Sequence, residues 1–183
     1  MSENTHHIPI MLDEVKESLL TDKNGVYVDA TLGFGGHSEM ILENLSKKGK
    51  LIGIDRDLEA IKASENRLGK YGDRFRAIHG NYKNFEGYMS DLGIDLVDGI
   101  LADLGISSYQ IDTPTRGFSY NSNAMLDMRM NQKDKLSAYD VVNTYTAAEI
   151  QRILKIYGEE KFARQIAAEI ERRRAKKPIE TTF

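Results

Sequence analysis

The chain has 183 residues, a formal net charge of -3 and no cysteine. A chain of this length can form one domain with a substantial core and an appendage, and the absence of cysteine excludes disulfide frameworks, thiolate zinc sites and cysteine nucleophiles. It contains no long apolar run and no signal sequence, so we expect a soluble cytoplasmic protein.

A short apolar run followed by a glycine-rich turn is the first informative segment. Val26–Asp29 predicts a parallel strand, and residues 40–45 predict a helix. Between them, Gly33, Gly35 and Gly36 let the backbone approach a ligand. This arrangement is typical of a site for a nucleotide-type cofactor.

The second predicted strand, residues 51–55, ends in Asp55, 20 residues after Gly35. An aspartate at this spacing can accept hydrogen bonds from both hydroxyls of a ribose. A dinucleotide fingerprint requires a third glycine where Ser38 stands, so the match to a pyrophosphate site is incomplete. Asp29, four residues before the first glycine, is instead typical of S-adenosylmethionine-dependent methyltransferases. A dinucleotide is the alternative.

Two more strands are predicted over residues 74–78 and 97–103, with helices between them that carry apolar residues at helical spacing. Asp57 and Asn84 are predicted to cap these helices. The alternation of strands and helices predicts an α/β fold with a parallel, doubly wound sheet.

The segment DLGISS, residues 103–108, follows the fourth predicted strand. It places one carboxylate and two hydroxyls at the carboxyl ends of the strands, where open α/β sheets bind ligands. An irregular stretch follows, which is typical of a functional lid or of disorder. Three helices are predicted after it, and the second begins with a capping box at Thr146 and Glu149.

The last of these helices ends in a basic run. Between Arg152 and Lys177, nine lysines and arginines oppose four glutamates, a difference of +5, and the run is densest from Arg172 onward. It has two interpretations, a solvated helix end or a patch that contacts phosphates.

Nine segments carry recognisable motifs: HIPI (7–10), DATLGFGGHS (29–38), GNY (80–82), DGILADLGISSYQID (98–112), RGFSY (116–120), LDMRM (126–130), VN (142–143), YGEEKFARQIA (157–167) and KPIETT (177–182). Together they resemble the bacterial 16S ribosomal RNA cytosine-N4 methyltransferases of the MraW type. The resemblance implies a Rossmann-like class I S-adenosylmethionine methyltransferase sheet, represented here by its N-terminal strands, with an inserted helical subdomain.

The resemblance also implies which residues line the S-adenosylmethionine site. They are Gly33, Gly35, Gly36, His37, Asp55, Tyr82, Asp103 and Gln110. Phenylalanine is more usual in the family where Tyr82 stands, but a tyrosine ring stacks equally well. Outside the resemblance, His37 is more often a packing residue at a helix start than a catalytic base.

The exocyclic amine of cytosine is a poor nucleophile, because its lone pair is delocalised into the ring. We predict that Asp103, with the carbonyl of Leu104, accepts hydrogen bonds from this amine and orients it, so Asp103 is the predicted catalytic residue. The methyl donor is already activated, so no metal is required. His6 and His7 are too few and too terminal to predict a metal site.

A further set of residues is predicted to contact the substrate: Ser107, Ser108, Tyr109, Arg116, Phe118, Asp127 and Arg129. Tyr109 or Phe118 would stack on the unstacked base, and Arg116 and Arg129 would hold phosphates. Each has a structural alternative. Arg129 could pair with Asp127, and Phe118 could fill a small core.

We predict three parts: residues 1–105 as the N-terminal part of the methyltransferase domain, 106–177 as a loop and helical insertion that recognises substrate, and 178–183 as the start of a C-terminal part. The expected partner is 16S ribosomal RNA in the small ribosomal subunit, without a membrane. Family members are longer, so we expect the chain ending at Phe183 to be inactive alone. It would form a homodimer or exchange segments through a bare strand edge. The functional alternatives are an incomplete fragment that binds cofactor or RNA without turnover, and a methyltransferase of small molecules.

Overall fold

A computed structural model describes residues 9–183, which form two units, residues 9–105 and residues 106–183. His6, His7 and the first two residues of the HIPI motif lie outside the described residues. No helix in the described part of the chain is both long enough and apolar enough to cross a membrane.

The first unit alternates helices with strands. Its elements are α1 (Leu12–Leu19), β1 (Val26–Asp29), α2 (Gly36–Asn44), β2 (Lys50–Asp55), α3 (Leu58–Leu68), β3 (Phe75–His79), α4 (Phe85–Asp91) and β4 (Gly99–Leu101). The four strands are parallel in the order β3-β2-β1-β4, with Val28 opposite both Ile52 and Ile100. The predicted parallel α/β sheet is confirmed, and the order reverses beside β1, where such sheets bind ligands.

The sheet is covered on both faces because alternate side chains of each strand point to opposite sides. Tyr27 and Leu51 pack with Ile41 and Leu42 of α2 on one face. Val28, Ile52 and Ile54 pack with Met89 of α4 on the other. The central strands β1 and β2 are buried on both faces and form near-continuous apolar runs, and this is why the sequence located them.

Two local expectations at the ends of elements were wrong. β4 ends at Leu101, two residues before Asp103, because the Asp103 N–H leaves the ladder and donates to Thr31 Oγ1 at 2.8 Å. Asn84 stands directly before α4, but its side chain makes no capping hydrogen bond. Asp57 does cap α3, since its carboxylate accepts from the Glu59 N–H. The outer edge of β4 pairs with no strand of residues 9–183, so the homodimer or segment exchange stays a prediction.

The second unit is helical. It contains α5 (Ser108–Asp112), α6 (Ala138–Thr144), α7 (Ala147–Tyr157) and α8 (Ala163–Arg174). The three predicted helices are α6 to α8, and the Thr146–Glu149 capping box of α7 is confirmed. Buried Ala163 and Ala167 contribute small side chains to α8 in the core of this unit.

The last residues of the chain belong to the second unit. The Asn143 carboxamide binds both the N–H and the carbonyl of Ile179, at 2.9 and 2.8 Å. Thr181 then forms an antiparallel bridge with Met125. The role of residues 178–183 as the start of a further part stays a prediction.

Candidate cofactor and active site

The floor of the candidate site is Asp29, the last residue of β1. Its carboxylate is buried and accepts hydrogen bonds from the Thr31 N–H at 3.1 Å and the Ser38 hydroxyl at 2.8 Å. Burial raises the pKa of Asp29, and these hydrogen bonds partly offset that effect. Asp29 therefore holds the two ends of the glycine turn together.

Asp55 stands at the carboxyl end of the neighbouring strand, β2. One carboxylate oxygen accepts the Gly33 N–H and the other accepts the Asp57 N–H, both at 2.8 Å. Burial raises the pKa of Asp55. Each carboxylate oxygen can accept a further hydrogen bond, so Asp55 can anchor the turn and still bind two ligand hydroxyls.

The turn needs glycine at two positions for its backbone conformation. Gly33 and Gly35 have φ angles of 51° and 78°, a left-handed region that costs side-chain-bearing residues free energy. Gly36 has a different reason, since a Cβ there would overlap the ring of Pro9. The three glycines therefore let residues 33–36 pass between strand end and helix, with the Gly33 N–H donated to Asp55 and the Gly35 N–H donated to the Leu32 carbonyl.

We expect Gly35→Ala to destabilise the protein by about 1 to 3 kcal/mol, because alanine would be forced into the left-handed region. Its Cβ would also lie 3.0 Å from the Leu68 side chain. Gly87→Ala in α4 is the matched control, because its Cβ would contact nothing within 4 Å and alanine favours helices. Thermal unfolding followed by circular dichroism compares them. Equal midpoints would contradict the strained turn.

Asp103 and His37 face each other beside this turn. His37 is buried at the start of α2, and its Nε2 lies 2.9 Å from the Ile10 carbonyl, which can only accept. Nε2 therefore carries a proton, and Nδ1 points toward the Asp103 carboxylate at 3.9 Å. The Asp103 side chain is half exposed and open to a ligand, while its main-chain N–H is held by Thr31.

Tyr82 is brought to the end of β2 by a backbone hydrogen bond. The Gly80 N–H donates to the Asp55 carbonyl at 2.8 Å, and Asn81 then caps a 3-10 turn that starts at Tyr82. The Tyr82 side chain is 47% exposed. An exposed ring at this position is suited to stacking on a planar heterocycle.

Gln110 and Ser107 belong to the second unit, where they form the capping box of α5. The Ser107 hydroxyl accepts the Gln110 N–H, and the Gln110 side-chain oxygen accepts the Ser107 N–H. Gln110 is buried, Ser108 begins the helix, and Tyr109 is 38% exposed. The predicted cofactor contact of Gln110 and the substrate contacts of Ser107, Ser108 and Tyr109 stay predictions.

Arg116 is only 3% exposed. Its guanidinium donates to the carbonyls of Arg129 and Met130 and lies over the Phe118 ring at 5.9 Å. Arg116 therefore closes the loop that contains the LDMRM motif. A phosphate contact through Arg116, as predicted, would require this loop to open.

Asp127 and Arg129 pair within the same loop. The Arg129 guanidinium donates to both carboxylate oxygens of Asp127, at 3.0 and 2.7 Å, and the pairing lowers the pKa of Asp127. Met128 between them has a φ of 57°. The structural alternative for Arg129, pairing with Asp127, is thus present, and a phosphate would have to compete with that carboxylate.

Two contacts at the candidate cofactor site were not predicted from the sequence. Thr31 donates its N–H to Asp29 and accepts the Asp103 N–H, so it joins the ends of β1 and β4. Ile10 fixes the His37 ring through its carbonyl. The first contact has a local signal, a threonine two residues after a strand-ending aspartate, whereas the second joins distant segments through the backbone and has none.

Comparison with known proteins gives the family of this chain. The profile of the MraW methylase family matches residues 4–183. This chain belongs to that family. Ribosomal RNA small subunit methyltransferase H of Clostridium botulinum (strain Kyoto / Type A2) is 54% identical over 176 residues, which are 96% of this chain and 57% of the relative. The protein of the same name from Caldicellulosiruptor bescii is 52% identical over 176 residues, which are also 96% of this chain and 57% of that relative.

The chain therefore spans little more than half the length of the curated relatives it matches. Among solved structures, an rRNA methylase from Streptococcus thermophilus is 28% identical, with a TM-score of 0.35 over 42% of this chain and 44% of that one.

The residues present in this member of the MraW family fit a nucleoside-containing cofactor with positive charge. Asp55 has free acceptor capacity for ribose hydroxyls, and Tyr82 offers an exposed ring. The segment from Asp29 to Ser38 contains no lysine or arginine. A pyrophosphate would find no cationic side chain in this segment, whereas a cationic ligand would meet the carboxylates of Asp55 and Asp103.

Proposed function

We propose that this chain carries the cofactor site and helical insertion of an enzyme that transfers a methyl group from S-adenosylmethionine to N4 of a cytosine in 16S ribosomal RNA. The observation that carries the proposal is its identity of 54% to a relative named ribosomal RNA small subunit methyltransferase H. The small ribosomal subunit is then the partner, and the cytoplasm, where that subunit is, is the location.

The charges of the site support this cofactor. When bound, S-adenosylmethionine supplies a methyl group on a sulfonium and needs no further activation. Asp55 would accept hydrogen bonds from its ribose hydroxyls, and the Tyr82 ring would contact its adenine. The backbone of the turn at Gly35 and Gly36 would lie along its methionine end, with His37 beside it. Oxygen acceptors around a cation are favoured in a partly buried site, where the local dielectric constant is low.

Asp103 would orient the nucleophile. Its carboxylate is half exposed, and its main chain is held by Thr31. Hydrogen bonds from the cytosine amine to the Asp103 carboxylate and the Leu104 carbonyl would hold the nitrogen in line with the methyl group and draw it toward tetrahedral geometry. The amine proton leaves after transfer, so a strong base is not needed.

A methyl-transfer assay tests the proposal. Small ribosomal subunits lacking the modification are incubated with labelled S-adenosylmethionine, both with this chain and with a chain extended to the length of its relatives. With the extended chain we expect label in the 16S RNA of the subunits, and none after prior methylation. Label that enters only a small molecule would favour the alternative methyltransferase.

The basic run at the end of α8, residues 172–177, leads to a separate prediction. Glu169 binds both Arg172 and Arg173, which lower its pKa to about 2, and Arg174 donates to the Val142 carbonyl. Lys176 and Lys177, beyond the helix, make no such contact within residues 9–183. These two lysines are therefore the members of the run most available to phosphates.

We expect replacement of both lysines by alanine to flatten the slope of log affinity against log salt for RNA by about 1.5 units, at about 0.7 to 0.9 per phosphate contact. Arg172→Ala is the control and should change the slope less, because Glu169 already neutralises Arg172. Anisotropy titrations at several salt concentrations measure both slopes. An unchanged slope in the double variant would instead support the interpretation of the basic run as a solvated helix end.

A further inference from the structure

Three large apolar side chains are exposed around the turn between α7 and α8. Ile156, Tyr157 and Phe162 are 56%, 75% and 63% exposed. Tyr157 is the last residue of α7, and Phe162 directly precedes α8. Two exposed aromatic rings therefore lie within six residues on one turn, and exposed apolar patches mark interaction surfaces.

Cationic side chains surround these rings. Residues 152–164 contain four lysines and arginines and two glutamates. Lys155, Lys161 and Arg164 are exposed, and within the described part of the chain they form no ion pair or side-chain hydrogen bond. The surface therefore combines stacking groups with free positive charge.

The turn itself is fixed by its own hydrogen bonds. The Leu154 carbonyl accepts the N–H groups of both Gly158 and Glu160, each at 3.1 Å. The Glu160 carboxylate accepts the Phe162 N–H at 2.7 Å, so one of the two acidic groups is occupied in the turn. The rings are thus carried on an ordered backbone, which reduces the entropy lost when a ligand stacks on them.

The basic run at the other end of α8 differs in both respects. Glu169 neutralises part of its charge, and residues 163–182 contain no aromatic residue. The ring nearest to that run is Phe183, which lines a pocket with Arg173 and Lys177. The α7–α8 turn instead carries two exposed rings and three exposed cationic side chains within residues 155–164.

We propose that this turn, residues 155–164, is a binding surface for single-stranded RNA, in which Tyr157 and Phe162 stack on bases and Lys155, Lys161 and Arg164 bind the flanking phosphates. The proposal rests on the proposed function, which makes RNA the substrate class. Unpaired RNA is the occupant because the bases of an A-form helix are stacked and inaccessible to side-chain rings, whereas splayed bases stack on aromatic groups.

Affinity for a labelled single-stranded RNA of mixed sequence, about 12 nucleotides long, tests the surface in this chain. We expect Tyr157→Ala combined with Phe162→Ala to weaken binding about ten- to 100-fold at constant salt. Tyr157→Phe combined with Phe162→Tyr keeps both rings and should bind as wild type does. Tyr120→Ala removes an equally exposed ring elsewhere in the same unit and is the control.

A spectroscopic readout separates stacking from a change in fold. The chain contains no tryptophan, so Phe162→Trp introduces a unique indole. Saturating RNA should quench its fluorescence, because a stacked base lies against the ring. Tyr120→Trp is the control and should keep its fluorescence. No quenching at position 162, with unchanged affinity of the double alanine variant, would overturn the proposal.

The outcomes distinguish this proposal from the proposed function. Normal methyl transfer together with unchanged RNA affinity in the double alanine variant would reject the surface and leave the function standing. RNA affinity that depends on both rings, without methyl transfer by the chain extended to the length of its relatives, would support the surface and reject the function. A variant that changes oligomeric state but not RNA affinity would assign the rings to a contact between copies and overturn the proposal.

Discussion

Asp103→Ala should lower the rate of methyl transfer by about two to three orders of magnitude, in a chain extended to the length of its relatives, while cofactor affinity changes far less. The reason is that the Asp103 carboxylate is proposed to accept a hydrogen bond that strengthens as the cytosine amine becomes tetrahedral. Loss of one such transition-state partner costs about this much in rate.

Single-turnover rates at saturating cofactor measure the effect, and calorimetry measures the affinity. Asp95→Ala is the matched control, because Asp95 is an exposed aspartate in the loop before β4. A near wild-type rate for Asp103→Ala would remove its orienting role. Equal losses in rate and in cofactor affinity would instead make Asp103 a cofactor ligand only.

Asp55→Ala should weaken S-adenosylmethionine binding by about 1.5 to 3 kcal/mol, the range for hydrogen bonds to a charged group. Asp55→Asn keeps one oxygen acceptor and should fall between alanine and wild type. Asp73→Ala removes an exposed carboxylate away from the strand ends and should have no effect. Calorimetry measures the three affinities. An unchanged affinity in Asp55→Ala would show that Asp55 does not bind the cofactor.

The pH dependence of binding gives the same residue a second test. Burial raises the native pKa of Asp55 above its ordinary value of 3.8. As pH falls through this raised pKa, the carboxylate gains a proton and loses an acceptor, so affinity should fall at a higher pH than for an exposed aspartate. The same shift means that ionisation of Asp55 lowers stability as pH rises, since the native state holds this proton more tightly than the unfolded chain does.

The two central strands, β1 and β2, could be predicted from sequence because they are buried on both faces. Three of the four predicted strands lie within one residue of their observed limits at each end, as β1, β2 and β3 show. The fourth was predicted over residues 97–103 but spans only Gly99–Leu101, because the apolar residues Val97 and Ala102 lie outside the ladder. The short helix α5 was missed, although its Ser107–Gln110 capping box is visible in the sequence.

The site was predictable where it depends on strand ends and less so where it depends on tertiary contacts. Asp55 could be located from its spacing to the glycines, and the structure places it against Gly33. Arg116 looked available to phosphates in a polar loop, yet it is buried against two carbonyls. A charged side chain can be drawn inward when backbone acceptors are left by an irregular loop, and composition alone does not reveal this.

The identity of the methylated nucleoside tests the central claim most directly. Small-subunit RNA that has received labelled methyl groups from the extended chain is digested to nucleosides and analysed by chromatography and mass spectrometry. The account predicts that the label is in N4-methylcytidine, and that Asp103→Ala greatly reduces it. Label in 5-methylcytidine, in a ribose 2′-O-methyl group or in another base would contradict the account, because Asp103 would then have no exocyclic amine to orient.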